Sequence, residues 1–205
     1  MPVSLIWLVA WAAWAAPKDI APERACPGSI GALKLPATLA PDRLNSKHLI
    51  VVLKGARRIF RTANGHILHT PDGPACWPIG LGFSPDGHKR TEGDGKTPEG
   101  LYSTSDKPWS QHYAAIAVHY PGAADAAAAV NDSRISAAVG GHIQRALDAD
   151  KKPPQTTPMG GEILIHGGGS ATDWTLGCIA MDNAHIDQLR ATLPTNMVTE
   201  VLILP

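Results

Sequence analysis

The chain has 205 residues, 44% hydrophobic and 18% charged, with 18 Lys+Arg against 18 Asp+Glu. This length holds one well-buried domain rather than two, and the apolar content excludes a disordered chain. A formal net charge of +0 without a basic block leaves no footprint for nucleic acid, which is bound by neutralising phosphates.

Val3 to Ala16 carries no charge and is shorter than the ~20 residues a membrane-spanning helix requires. Its apolar run ends in Ala13 and Ala15, which suit an A-x-A cleavage site, so residues 1–16 read as a signal peptide and the protein as exported, to the periplasm or cell envelope. Residues 17–46, rich in Pro, Ala and Gly, read as an arm packed across the domain formed by residues 47–205. The chain has 3 cysteines, Cys26, Cys76 and Cys178. In an oxidising compartment an odd count points to one pair and one free thiol. A Cys26–Cys76 bridge would tie the arm to the domain; the alternative leaves both thiols free.

Strand-like runs follow at His48–Lys54, Arg57–Thr62, Ile67–Thr70 and Cys76–Leu81. Asn64-Gly65 has the chemistry of a tight hairpin. Glu92–Gly100 is a turn cluster leading into a strand at Leu101–Ser103, and Tyr113–Tyr120 alternates like a half-buried strand. An Ala-rich stretch, Ala123–Ala129, precedes a helix that Asn131 or Asp132 can cap, with Ile135, Val139, Ile143 and Leu147 on one face. Gly140-Gly141 would allow a break in it. Lys151–Gly161 is a Pro-rich surface loop, Glu162–His166 a short buried strand, Asp182 the cap of a last helix, and Met197–Leu204 the final strand. The sum is a mainly β fold with helical insertions, of the α+β class.

Two chemistries are weighed and set aside. Gly95-Lys96-Thr97 resembles the end of a phosphate-binding loop, but Arg90 stands where the first Gly is required and Pro98 where the helix should continue. A nucleotide is therefore not expected. The 9 His include one close pair, His66 and His69, without a partner pair or a Cys-x-x-Cys, so neither a metal nor another cofactor is expected.

The informative segment is ILIHGGGSATDWTLGCIAMDN, Ile163 to Asn183. His166 ends a buried strand, and Cys178 follows a glycine in a turn. A thiol of pKa ~8.5 is about 3% ionised at pH 7, whereas one lowered to ~6.5 beside an imidazole is about three-quarters thiolate. The same imidazole can protonate a leaving amine. Gly177 permits unusual dihedrals, so that the Gly177 and Cys178 N–H groups would face a developing oxyanion. Read on spacing alone, a small buried cysteine beside an ordinary histidine is an equal alternative.

These residues resemble the L,D-transpeptidase (YkuD-type) catalytic domain: Ile165-His166-Gly167, then Thr175-Leu176-Gly177-Cys178-Ile179-Ala180. Gly93-Asp94-Gly95-Lys96-Thr97-Pro98-Glu99-Gly100 followed by Leu101-Tyr102 is similar to that family's upstream segment, and the resemblance spans about residues 47 to 204. It implies a β-sandwich-like domain with the cysteine turn in a groove, acting on peptidoglycan stem peptides without metal or nucleotide. Cys178 would be the nucleophile, His166 its base and acid, and Thr175, Gly177 and Gly167 supporting positions. A backbone carbonyl is the group that orients the histidine in this family; Asp173 is a nearby acidic alternative, or a turn former beside Trp174. The family's fullest pattern has His where this chain has Leu176, and Arg or Asn where it has Ala180. Cross-linking, attachment of a wall-bound protein, and hydrolysis as a carboxypeptidase or amidase all fit such a site. A non-catalytic wall-binding module is the reading from another class. The Lys151–Gly161 loop and the Ala123–Leu147 insertion are the expected lids.

Overall fold

The computed structural model describes residues 26, 30–33, 35, 39, 41–194 and 199–205. The expected signal peptide, most of the arm and the start of the last expected strand lie outside the described residues. Short 3-10 turns at Ile30–Ala32 and Pro41–Asn45 lead into β1 (Leu49–Leu53), β2 (Arg58–Ala63), β3 (His66–Ile67), β4 (His69–Thr70), β5 (Gly73–Pro74) and β6 (Cys76–Pro78). Asn64 and Gly65 both hold positive φ, 51° and 80°, the two-residue turn expected between β2 and β3. Then come β7 (Gly100–Ser110), β8 (Tyr113–Val118), α1 (Ala123–Asn131), α2 (Ala137–Asp148), β9 (Leu164–His166), β10 (Ile179–Ala180), α3 (Asn183–Ala191) and β11 (Thr199–Leu204).

The main sheet runs β10-β9-β8-β7-β11-β1-β2-β3, with β6 also on β2. Only β1–β11 and β9–β10 are parallel; the others pair antiparallel. Alternation then assigns each face. Ile50, Val52, Val201, Ile203, Tyr102, Ile116, Val118, Ile165 and Ile179 form one face, covered by Ile186 and Leu189 of α3 and by Trp77, Ile79 and Leu81. The opposite face is shared. At its β1–β2–β11 end, Leu49, Val51, Phe60, Leu202 and Leu204 are covered by Ile30, Leu33, Leu35, Leu39 and Leu44 of the arm. At its β8–β9–β10 end it carries Ala115, Ala117 and Leu164, with Cys178 packed against them. A Cys26–Cys76 disulfide anchors the arm, leaving Cys178 as the free cysteine.

Three expectations change. The Ala-rich stretch is itself a helix, α1, started by the Asp125 carboxylate accepting from the Gly122 N–H at 2.7 Å. Consequently α2 begins later than expected, capped by Ser136 rather than Asn131 or Asp132. Gly140-Gly141 does not break α2: a Cβ on Gly140 would lie 2.7 Å from Val130 Cγ2, so the glycine lets the two helices touch. The Ile67–Thr70 strand divides, because the Leu68 N–H turns back to the Arg61 carbonyl and β4 pairs with β5 instead.

Candidate active site

Strand register sets the reactive face. Ala115 lies opposite His166 across β8–β9, and His166 opposite Ala180 across β9–β10. Cys178, two residues before Ala180, therefore shares a face with His166 and Leu164. The Leu164 N–H donates to Cys178 Sγ at 3.4 Å, and the thiol donates to the Glu162 carbonyl at 3.4 Å. The side chains that share this strip of sheet are small and buried: Ala115, Ala117 and Ala180.

The imidazole is held on several sides. His166 Nδ1 lies 2.5 Å from the Gly167 carbonyl, which can only accept, so Nδ1 carries the hydrogen and Nε2 is left with its lone pair. His112 stacks on the ring at 4.9 Å between centroids, and the Trp174 ring meets both histidines edge-on at 5.6 Å. The orienting group is thus a backbone carbonyl and not Asp173. That carboxylate instead takes Arg57 Nη2 at 2.6 Å and the Leu81 N–H at 2.9 Å. Asp173 pins the loop before the cysteine to the β1–β2 turn.

Burial pushes the His166 imidazole down and the Cys178 thiol up from their ordinary values; the Leu164 N–H only partly offsets the latter. The resting pair is a neutral thiol and a neutral imidazole, not the thiolate–imidazolium pair expected from the sequence. Desolvation is the largest cause of both shifts, and it disfavours the charged form of each group.

Thr175 and Gly177 share the cysteine turn, while Gly167 follows His166 at the end of β9. The buried Thr175 hydroxyl donates to the Cys178 carbonyl at 2.8 Å and accepts from the Gly177 N–H at 3.1 Å. This corrects the expectation for Gly177: its N–H is engaged within the turn and does not face the groove. What Gly177 supplies is conformation, since it holds φ +127° and a Cβ there would lie 2.6 Å from the Lys96 carbonyl. A Cβ on Gly82 would lie 2.0 Å from the Gly95 carbonyl and 3.1 Å from Gly177 Cα. Three backbone segments therefore meet without side chains between them, which is how the upstream glycine-rich turn supports the cysteine turn. Asp94 organises that turn. Burial alone would raise its carboxyl, but N–H groups of Thr91, Arg90 and Lys96 and the Lys89 ammonium hold it below the ordinary carboxylate value. Gly167 sits under Tyr113 and Asn183: a Cβ there would lie 2.5 Å from Asn183 Oδ1, which also accepts the Gly168 N–H at 2.9 Å.

The sequence reading missed His112, Tyr113 and Asn183. His112 lies in the turn before β8 and Tyr113 is its first residue, where alternation marks a strand but nothing marks a neighbour of His166. Among the described residues no group of three or more His, Cys, Asp or Glu is placed to hold a metal ion.

The L,D-transpeptidase catalytic domain model, YkuD, matches residues 47–203. No curated protein matches the chain. Among solved structures, the helical cell shape determining protein Pgp2 from Campylobacter jejuni is 22% identical with a TM-score of 0.47, covering 76% of this chain and 46% of its own. Bd1075 of Bdellovibrio bacteriovorus is 21% identical with a TM-score of 0.44, covering 81% and 50%. An L,D-transpeptidase from Xylanimonas cellulosilytica is 12% identical with a TM-score of 0.44, covering 78% and 61%. This chain spans about half the length of the Campylobacter and Bdellovibrio proteins.

Proposed function

Because this chain belongs to the L,D-transpeptidase catalytic-domain family, we propose that it is an exported cysteine acyltransferase acting on peptidoglycan stem peptides, with Cys178 as nucleophile and His166 as base and acid. The observation that carries the reading is the placement of Cys178, just before β10, on the face of the sheet that carries His166 of the adjacent parallel strand β9, with His166 Nε2 left as a proton acceptor by the Gly167 carbonyl.

The steps follow from a neutral pair. A stem peptide in the groove presents the carbonyl of its penultimate diamino acid to Sγ. The thiol proton passes to His166 Nε2 as the sulfur–carbon bond forms. The imidazolium then returns that proton to the departing amine of the terminal D-alanine as the carbon–nitrogen bond breaks, leaving a thioester on Cys178. An acceptor amine attacks next, giving its proton to His166, and the thiol is regenerated as the new amide is released. A wall-attached protein can supply that amine as well as a second stem peptide can. Water in the amine's place makes the same site a carboxypeptidase.

Incubation of mature protein with tetrapeptide muropeptides, followed by mass-resolved chromatography, tests the reading. Cross-linked dimers or exchanged terminal residues are expected, and none with Cys178→Ala. Shortened monomers alone would replace transfer by hydrolysis. No thiol-dependent product would leave a wall-binding module as the reading.

A further inference from the structure

Lys107, Lys152 and Glu162 form a cluster beside the thiol that the steps above leave unused. Lys107 lies opposite Ala115, which lies opposite His166, which lies opposite Ala180. The lysine therefore stands in the row that runs across this strip of sheet, two strands or about 10 Å from His166. Lys152 reaches the same place from the 151–163 loop. Between the two ammonium groups sits the Glu162 carboxylate, 2.8 Å from Lys152 Nζ and 3.7 Å from Lys107 Nζ. The backbone carbonyl of that same residue accepts the thiol hydrogen bond, so one residue belongs to both the cluster and the surroundings of the sulfur.

Two cations near a nucleophile are thus neutralised by a carboxylate that the chain itself supplies. Glu162 is held there by its backbone: its N–H donates to Gln155 Oε1 at 2.7 Å, and its φ of 51° lies in the left-handed region, unusual for a long side chain. The Lys152 ammonium, then Lys107, keeps the Glu162 carboxyl below its ordinary value, so it is a full negative charge at neutral pH. Yet the carboxylate is 58% exposed, and a partly exposed ion pair is held weakly enough for another carboxylate to take its place.

We infer that Lys107 and Lys152 form a subsite for a substrate carboxylate, occupied at rest by the chain's own Glu162. The peptide identity of the ligand rests on the function proposed above; the cation pair and its internal occupant do not. The carboxylate of a stem peptide can come from its terminal residue or from the side of the diamino acid, and the two are separable by amidation.

The test uses Cys178 as its own reporter, since Cys26 and Cys76 are bridged and it is the free cysteine. Its thiolate displaces iodide from iodoacetate, an anion, or from iodoacetamide, a neutral analogue, with a sulfur–carbon bond formed and iodide released in both. The ratio of the two rates cancels any change in thiolate fraction and reads the local field alone. The Lys107→Gln/Lys152→Gln double variant is expected to lower the iodoacetate-to-iodoacetamide ratio about fivefold, and Glu162→Gln to raise it about threefold at low salt. A ratio unmoved by the double variant would overturn the subsite. A ratio unmoved by Glu162→Gln would overturn the internal occupant. With tetrapeptide as substrate, the double variant is expected to raise KM about tenfold with a smaller change in kcat. Amidating the recognised carboxylate should reproduce that rise in the unaltered protein, and amidating the other should not. If neither amidation raises KM, the subsite is overturned for peptides. If the unaltered protein turns over no muropeptide while the alkylation ratios behave as expected, the proposed function fails and the cation pair stands.

Discussion

His112 lies stacked on His166, 4.9 Å between ring centroids, and closes one side of the imidazole against water. Burial is the main cause of the lowered His166 value, and the neighbouring His112 adds to it. A base must be neutral to accept the thiol proton, so a lowered value keeps it competent below the ordinary histidine value of about 6.5. His112→Ala admits water and removes the second cause, and both effects raise the value. The acid limb of kcat/KM is expected to move toward pH 6.5 in that variant, with the plateau rate reduced by less than about tenfold. An unmoved limb would show that the stacking has no influence on the base.

The Cys178 thiol is raised by burial, which gives the free protein a characteristic alkylation profile. A cysteine in a resting thiolate–imidazolium pair reacts at a rate that is already high near pH 6. Here the iodoacetamide rate should climb through neutrality and level off only above the ordinary thiol value of about 8.5. A plateau beginning near pH 6 would indicate an ion pair at rest.

Gly177 combines φ +127° with a Lys96 carbonyl 2.6 Å from where a Cβ would stand. Gly177→Ala should displace the cysteine turn at a cost of about 1–3 kcal/mol, seen as a lower Tm, and should slow Cys178 alkylation. Thr175→Val is the milder companion. It keeps the shape but strands the Gly177 N–H and the Cys178 carbonyl, at about 1–3 kcal/mol. Equal stability in both variants would mean that neither the dihedral nor the hydroxyl holds the turn.

The Cys26–Cys76 bridge spans a sequence separation of 50 and fastens the arm to the same sheet face that carries Cys178. The arm covers the β1–β2–β11 end, and β7 and β8 lie between that end and the strand that carries His166. Cys26→Ser/Cys76→Ser should therefore lower stability by about 2–4 kcal/mol while leaving the Cys178 alkylation rate within about twofold. A large rise in that rate would place the arm over the groove.

Much of the fold is legible in the sequence where local chemistry decides. Asn64-Gly65 dictates its turn, the β1 run LIVVL has both faces buried, and His166 ends its strand as the Gly-rich continuation requires. The Ala-rich α1 escapes because its sequence, AADAAAAVN, carries almost no large apolar side chain to mark a face, even though Ala is the strongest helix former. Asp173 is near His166 in sequence, yet its partner Arg57 is 116 positions away, a distance that no local pattern spans. The thiol's charge state is likewise not local. It depends on burial by Ala115, Ala117 and Leu164, which come from two other strands. Glu162 reads as the first residue of a strand, yet its positive φ and its lysine partners place it beside the sulfur instead.

In the proposed reaction Cys178 carries the acyl group. Intact-mass measurement of the protein mixed with tetrapeptide muropeptide, quenched in acid within seconds, tests it most directly. The expected result is an adduct equal to the donor less its terminal D-alanine, on Cys178, lost in Cys178→Ala and trapped at higher occupancy in the absence of an acceptor amine. Product formation that survives in Cys178→Ala would contradict it.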